Sequence, residues 1–371
     1  MRGKRIVFHV PSLRGGGAER VWVLMANELA ARGHAVTLFV WNGEGPNARL
    51  RSDAVHLVDL GMPVSEGGRF GKPRTIRGLL RSIGLYRRLK PDAVFSAPEF
   101  ANLVTALALA LSFSRARFFP SFHAAANHRT DDLGSRLAGL LTAIVAARAT
   151  KAIAVSAGVG RDLVAHGMPA GKVAVIHNPL PPISTQPPRT YPWQPALDAM
   201  GAGPVIVTAG RMTEVKDQST LLKAFARLVA MRPARLVIFG EGPLLEPLKA
   251  EAEALGLADR VLFPGYVTDP AECYAAADLF VLSSITEGFG NVLIEAMAAG
   301  VPVVSTDAPH GPREILEDGR FGPLVPIGDA AALAEAMGKV LDAPLPPDVL
   351  KARAAAFELP VVGDAYEALL G

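Results

Sequence analysis

Short apolar runs alternate with amphipathic stretches along nearly the whole chain. "KRIVFHV" near the start reads as a strand and is followed by the loop "PSLRGGG". Then comes "AERVWVLMANELAARG", in which Ala18, Trp22, Met25 and Leu29 recur at helical spacing and Gly33 supplies a stop. "AVTLFV" is the next strand. After a run with no regular pattern, "RSIGLYRRLKPDAVFSA" predicts a helix leading into a strand at Ala93–Ser96, and "RARFFPSFH" and "KAIAVS" predict two more. The second half repeats the alternation, with strands at "PVIVTAG", "ARLVIFG", "RVLFPG" and "DLFVLS". Its helices are "QSTLLKAFARLVAM", "PLLEPLKAEAEALG", a short one from Pro270 to Ala276, one from Asn291 to Ala299, and "DAAALAEAMGKVLD". Buried strands alternating with helices predict parallel sheets covered on both faces, an α/β protein of two Rossmann-like halves.

Between the halves lies "NPLPPISTQPPRTYPWQP", dense in proline, which resists regular structure and reads as a semi-rigid connector. The expected division is a domain over 1–180, a linker over 181–203, a second domain over 204–355 and a C-terminal helix over 356–371. Periodicity assigns that last helix to neither domain, and packing back on the first is one of its options. A length of 371 residues suits two cores better than one. Ligands of such sheets bind beyond the carboxyl ends of the strands, so the two sheets are expected to face across a cleft that holds the site.

Charge sharpens this picture. Residues 1–180 carry 24 Lys and Arg against 11 Asp and Glu, and the remainder carries 14 against 24. A basic half beside an acidic half points to an anionic partner for the first. The longest apolar run, "ANLVTALALALSF", falls short of the roughly 20 residues that span a bilayer and is expected to be a buried helix. "MRGKRIVFHV" passes from basic residues straight into a strand, unlike a secretory signal. The single Cys273 permits no internal disulfide, which fits a cytoplasmic location.

Three loops could carry chemistry. "RGGGAER" puts Gly15, Gly16 and Gly17 before a helix N-terminus, where backbone amides can approach an anion. Arg20 stands where a dinucleotide fingerprint needs its third glycine, so a nicotinamide cofactor is disfavoured. A tight turn that binds nothing remains open, and "FGEGPLL" is as incomplete. In "AGRMTEVKDQSTLL", Arg211 and Lys216 lie between a strand end and a helix, where two cations suit a diphosphate and the charge on a departing nucleoside diphosphate. In "SITEGFGNVLIEAMAAGVPVVSTD", Glu287 precedes the turn Gly288-Phe289-Gly290 and Glu295 follows one turn into a helix begun by Asn291. Two carboxylates so spaced suit vicinal hydroxyls. A turn residue and a wet helix face are the plainer alternative.

"TEGFGNVLIEAMAAGVPVV" resembles the E-x7-E segment of retaining glycosyltransferases of the GT-B fold, specifically glycosyltransferase family 4. The likeness covers nearly the whole chain, from "GGGAERVWVLMANELAARGHAVTL" through "AVSAGVGRDLV", "VIHNPL", "GRMTEVKDQSTLLKAF", "FGEGPLLEPL" and "VLFPGYV" to "DAPHGPREILEDGRFGPLV". It implies that Arg211 and Lys216 hold the donor diphosphate, approached also by Gly15, Gly16 and Gly17. It implies that Glu295 bonds the ribose hydroxyls, and that Glu287 with Gly288, Phe289, Gly290 and Asn291 holds the donor sugar. His123 matches the active-site histidine, with His128 as a rival. His310 stands where related members usually have serine. No D-x-D triplet occurs, so transfer without a metal or other cofactor is expected, by front-face departure and attack through an oxocarbenium-like state.

The implied reaction moves a hexose or N-acetylhexosamine from a UDP-sugar to a glycan or lipid-linked acceptor of surface polysaccharide synthesis. A sugar-nucleotide epimerase of the same fold and a non-catalytic nucleotide-sugar-binding protein are the alternatives. On the acceptor side, "GGRFGKPRTIRGLLRSIGLYRRLK" has eight basic residues and no acidic one. Arg74, Arg77, Arg81 and Arg88 fall at helical spacing, with Leu79, Leu80, Ile83 and Leu89 expected to bury. Such a helix suits peripheral contact with the anionic inner face of a membrane, or a plainly solvated surface. No nucleic-acid partner is expected.

Overall fold

The structure is a computed structural model that describes residues 3–63, 71–124, 142–182, 190–267 and 269–371. It divides into two compact units, Met1–Pro179 with Leu359–Gly371, and Leu180–Glu358.

The first unit is built on seven parallel strands: β1 (Arg5–His9), β2 (Ala35–Val40), β3 (His56–Asp59), β4 (Ala93–Ser96), β5 (Arg117–Phe122), β6 (Ala152–Ala154) and β7 (Val173–Val175). They lie in the order β3-β2-β1-β4-β5-β6-β7, which reverses direction between β1 and β4. Helices α1 (Gly17–Ala31), α2 (Lys72–Leu89), α3 (Glu99–Leu111) and α4 (Ala157–Ala165) make the crossovers. Aromatic rings knit the core, with Phe95 stacked between Phe8 at 5.0 Å and Phe119 at 4.8 Å. Strands β3 and β7 fall outside the sequence reading, since each is short, half-buried and at a sheet edge.

Helix α2 packs through Gly78, Ser82, Leu85 and Tyr86. A Cβ at Gly78 would stand 2.5 Å from the Trp41 ring, so glycine is what lets the helix approach. Its face differs from the one expected from the leucines. Leu80 is 63% exposed, because the small residues and Tyr86 take the inner side.

The second unit has six parallel strands: β8 (Val205–Ala209), β9 (Arg235–Phe239), β10 (Val261–Gly265), β11 (Leu279–Leu282), β12 (Val303–Thr306) and β13 (Leu324–Val325), ordered β10-β9-β8-β11-β12-β13. Here the reversal falls between β8 and β11, the point beyond whose carboxyl ends sheets of this kind bind ligands. The part of the proline-rich connector described includes a helix, α5 (Gln194–Ala199), with Pro195 in its first turn where proline is tolerated. Beside it Trp193 stacks on Tyr191 and meets the Phe239 ring edge-on, so this end of the connector is packed rather than free. Helices α6 (Gln218–Val229), α7 (Leu245–Ala254), α8 (Ala271–Tyr274), α9 (Asn291–Ala298), α10 (Gly311–Ile315), α11 (Ala330–Asp342) and α12 (Pro347–Ala355) complete the unit. Periodicity misses α12 because it buries only Leu350 and Ala354.

The last helix, α13 (Leu359–Leu370), belongs to the first unit and lies on α1. Tyr366 meets Trp22 edge-on, and Arg32 bonds Asp364 at 2.7 Å. The Lys4 amide donates to His34 Nδ1, so Nε2 carries the ring proton and donates to Glu367 at 3.0 Å.

Candidate active site

The loop leaving β8 is held rigidly before it offers any side chain. The Gly240 φ is 124°, and a Cβ there would fall 2.0 Å from the Gly210 carbonyl oxygen. A Cβ at Gly242 would fall 2.3 Å from that of Met212. The glycines of "FGEGPLL" therefore serve the close approach of two loops. Met212 is buried, the Glu214–Lys216 segment forms a 3-10 turn, and Asp217 in the left-handed region caps α6 by accepting from the Thr220 amide. The Ser283 hydroxyl donates to the Lys216 carbonyl, and the Ile285 amide to that of Val215, so the loops after β8 and β11 are laced together.

Lys216 and Glu287 meet where these loops adjoin. Lys216 Nζ donates to Glu287 Oε1 at 2.5 Å, and the Ser284 hydroxyl donates to the same oxygen at 2.7 Å. The Thr306 hydroxyl on β12 donates in turn to the Ser284 carbonyl. Two residues expected to serve different parts of a donor are thus an ion pair. Arg211 is exposed on the same loop, with its carbonyl accepting from Gln218.

The Gly288–Gly290 turn is equally fixed. Gly290 has φ 102° and caps α9, and a Cβ at Gly311 would lie 1.8 Å from the Phe289 carbonyl oxygen. Phe289 itself is buried with its ring edge-on to Phe357, so its side chain packs and only its backbone is left to serve a ligand. Gly288 and Asn291 are half-buried. Glu295 is 7% exposed, and the Tyr274 hydroxyl donates to its Oε2 at 3.0 Å. A wet helix face is excluded. The neighbouring Cys273 thiol is pushed up, first by burial and then by the charges of Glu295, Glu272 and Asp269. Tyr274 escapes sequence reasoning because an aromatic in a short helix reads as core. His310 has φ 82° at the N-terminal cap of α10, a backbone region uncommon for a non-glycine residue.

In the first unit, the turn at Gly15–Gly17 is occupied from within. The amides of Gly15 and Gly16 donate to Glu19 Oε2 at 3.0 and 3.1 Å, and the Ser12 hydroxyl to Oε1 at 2.6 Å. Of the three glycines, Gly17 has open space beside it. His123 directly follows β5, half-buried, its Nε2 3.1 Å from the Ser121 hydroxyl and its ring edge-on to Trp22. Burial lowers its pKa to about 4, so the imidazole is neutral at physiological pH. His128 lies outside the described residues. Arg74, Arg77, Arg81 and Arg88 are all exposed on α2. Among the described residues no group of three or more His, Cys, Asp or Glu is placed to hold a metal, and no helix is long and apolar enough to cross a membrane.

Comparison with known proteins places this geometry. Residues 15–182 match the sequence model of "Glycosyltransferase Family 4" and residues 203–343 that of "Glycosyl transferases group 1". The lipopolysaccharide core biosynthesis glycosyltransferase LpsE of Rhizobium meliloti is 28% identical over 340 residues, 90% of this chain and 88% of that protein. A Campylobacter jejuni enzyme, N-acetylgalactosamine-N,N'-diacetylbacillosaminyl-diphospho-undecaprenol 4-alpha-N-acetylgalactosaminyltransferase, is 35% identical over 175 residues. That match takes in 45% of this chain and 46% of the relative, less than half of each. Anabaena HepE in complex with UDP-glucose superposes with a TM-score of 0.78 at 21% identity over 99% of both chains. A glycosyltransferase from Rickettsia africae gives 0.78 at 19% identity over 100% of this chain and 98% of that one. The two family matches take in most of the chain and meet a fold of two Rossmann-like units: the chain belongs to the family 4 glycosyltransferases of GT-B fold.

Proposed function

We propose that the enzyme transfers a hexose or N-acetylhexosamine, with retention, from a UDP-sugar to a glycan or lipid-linked acceptor of surface polysaccharide synthesis. The observation that carries this is the cluster beyond the carboxyl ends of β8 and β11, where Lys216, Glu287 and Ser284 share one network, with Glu295 held by Tyr274 on the helix that follows. Lys216 and exposed Arg211 stand on one loop, suited to bind a diphosphate and to stabilise the charge that grows on the leaving group. Glu295, buried and oriented, suits ribose hydroxyls, and Glu287 with the Gly288–Gly290 amides suits the sugar. His123 is assigned as a neutral hydrogen-bonding partner of substrate, since its lowered pKa disfavours a cation there.

The relatives support the finer assignments. LpsE is named for lipopolysaccharide core synthesis, the Campylobacter enzyme for a diphospho-undecaprenol acceptor, and HepE is seen with UDP-glucose. Positioning and electrostatics then supply the acceleration. Incubation with a panel of UDP-sugars and a lipid-linked glycan fraction, followed by NMR of the product's anomeric proton, tests the reading. Transfer with the donor's anomeric configuration kept is the expected result. Inverted product, or transfer only from another nucleotide's sugars, overturns it.

A further inference from the structure

Two serines leave β11 in succession, and both are buried: Ser283 is 1% exposed and Ser284 0%. Neither can touch a ligand. A buried hydroxyl is unfavourable unless it is hydrogen-bonded, and these two direct their protons to different members of one ion pair. The Ser283 hydroxyl donates to the Lys216 carbonyl at 2.9 Å, and the Ser284 hydroxyl donates to Glu287 Oε1 at 2.7 Å. A third buried hydroxyl braces the second serine, since Thr306 on β12 donates to the Ser284 carbonyl at 2.6 Å.

The bonds divide the Glu287 carboxylate unequally. Oε1 accepts from both Lys216 and Ser284. Among the described residues Oε2 receives no donor, and it is not sealed from solvent. With Oε1 held from two sides, the carboxylate cannot turn freely, and Oε2 is the oxygen left to accept from a hydroxyl outside the protein. The Lys216 ammonium has more protons than the one Glu287 takes, so phosphate oxygens can be bound without breaking the pair.

We infer that the two serines are positioning residues with separate roles. Ser284, braced by Thr306, turns Glu287 so that Oε2 faces the donor sugar. Ser283 fixes the backbone of Lys216 so that its ammonium stays within reach of the donor diphosphate. This division rests on the donor-site reading above and deepens it: adjacent side chains govern recognition of the sugar and of the diphosphate independently.

Calorimetric titration separates the two roles, because UDP lacks the sugar. The probes are UDP and either UDP-glucose or UDP-N-acetylglucosamine, whichever the wild type binds more tightly. Ser284→Ala should weaken the UDP-sugar about tenfold and leave UDP within about twofold, since a hydrogen bond to a charged group is misdirected. Ser283→Ala should weaken both ligands by a similar factor and keep their ratio. Thr306→Val should shift the ratio in the direction of Ser284→Ala, and Thr306→Ser, which keeps the hydroxyl, should restore it. The Thr306 pair carries the test if Ser284→Ala does not fold. An unchanged ratio in Ser284→Ala and Thr306→Val while UDP still binds, or the same pattern of loss from both serines, would overturn this inference alone. Failure of the wild type to bind UDP would remove the donor-site reading and this inference with it.

Discussion

At the scale of single residues, the site is a set of mutual dependences. Glu287 accepts from Lys216 and Ser284, so Lys216→Ala leaves a mostly buried carboxylate with one donor fewer. The expected cost is about 1–3 kcal/mol of stability, read as a lower melting temperature before any ligand is added. Tyr274→Phe removes one donor from Glu295 and nothing from the core volume. If Glu295 serves the ribose, the donor KM should rise about tenfold with kcat nearly unchanged. The wild type's preference for UDP-sugar over its 2′-deoxy analogue should shrink as well. An unchanged KM and preference would leave Tyr274 a packing residue only.

Histidine protonation belongs to the same scale. Burial lowers His9 to about 3 and His123 to about 4, from an ordinary value of 6.5. The unfolded chain therefore binds protons before the folded one does. This contribution to stability is full above about 6.5 and is lost as pH falls from there through about 4 for His123 and about 3 for His9. Melting temperature should decline over that window, and His123→Gln should make the decline shallower. A pH profile of kcat with an acid limb at 6.5 that disappears in His123→Gln would contradict the neutral assignment. What sequence shows well at this scale is spacing: Lys216 and Glu287 meet as an ion pair between two loops, and Glu295 lies on the helix that follows. What it hides is orientation, as with buried Phe289 and with Glu19, which fills the amides of Gly15 and Gly16.

At the scale of elements, glycines fix the loops. Gly240→Ala would bring a Cβ within 2.0 Å of the Gly210 carbonyl oxygen at a positive φ. A loss of about 2–4 kcal/mol is expected, together with weaker donor binding, because the loop that carries Arg211 and Lys216 must shift. Full retention of both would mean that the loop approach is not structural. The long strands and helices are legible because their apolar periods are regular, as in α6 and α11. Helix α12 and strand β13 are not, since two buried side chains or two paired residues leave no period to read. In α2 the period itself misleads: glycine and serine take the inner face, and a leucine is left outside.

At the scale of the whole molecule, the chain's end completes its beginning. Val362, Tyr366 and Leu370 are buried in the core of the first unit. Deleting residues 359–371 should uncover them at about 1.5–3 kcal/mol each. Calorimetry should then show the melting of that unit lowered and that of Leu180–Glu358 little changed. Repeated strand–helix alternation makes the doubled parallel-sheet architecture readable from sequence, whereas a terminal helix carries no mark of the sheet it will cover. The most direct measurement is calorimetric titration of UDP into the wild type, Lys216→Ala and Glu295→Gln. Binding by the wild type that weakens at least about tenfold in each variant is the predicted result. No binding of UDP, or equal affinity in all three proteins, would contradict the assignment of the donor site to the loops and helix beyond the carboxyl ends of β8 and β11.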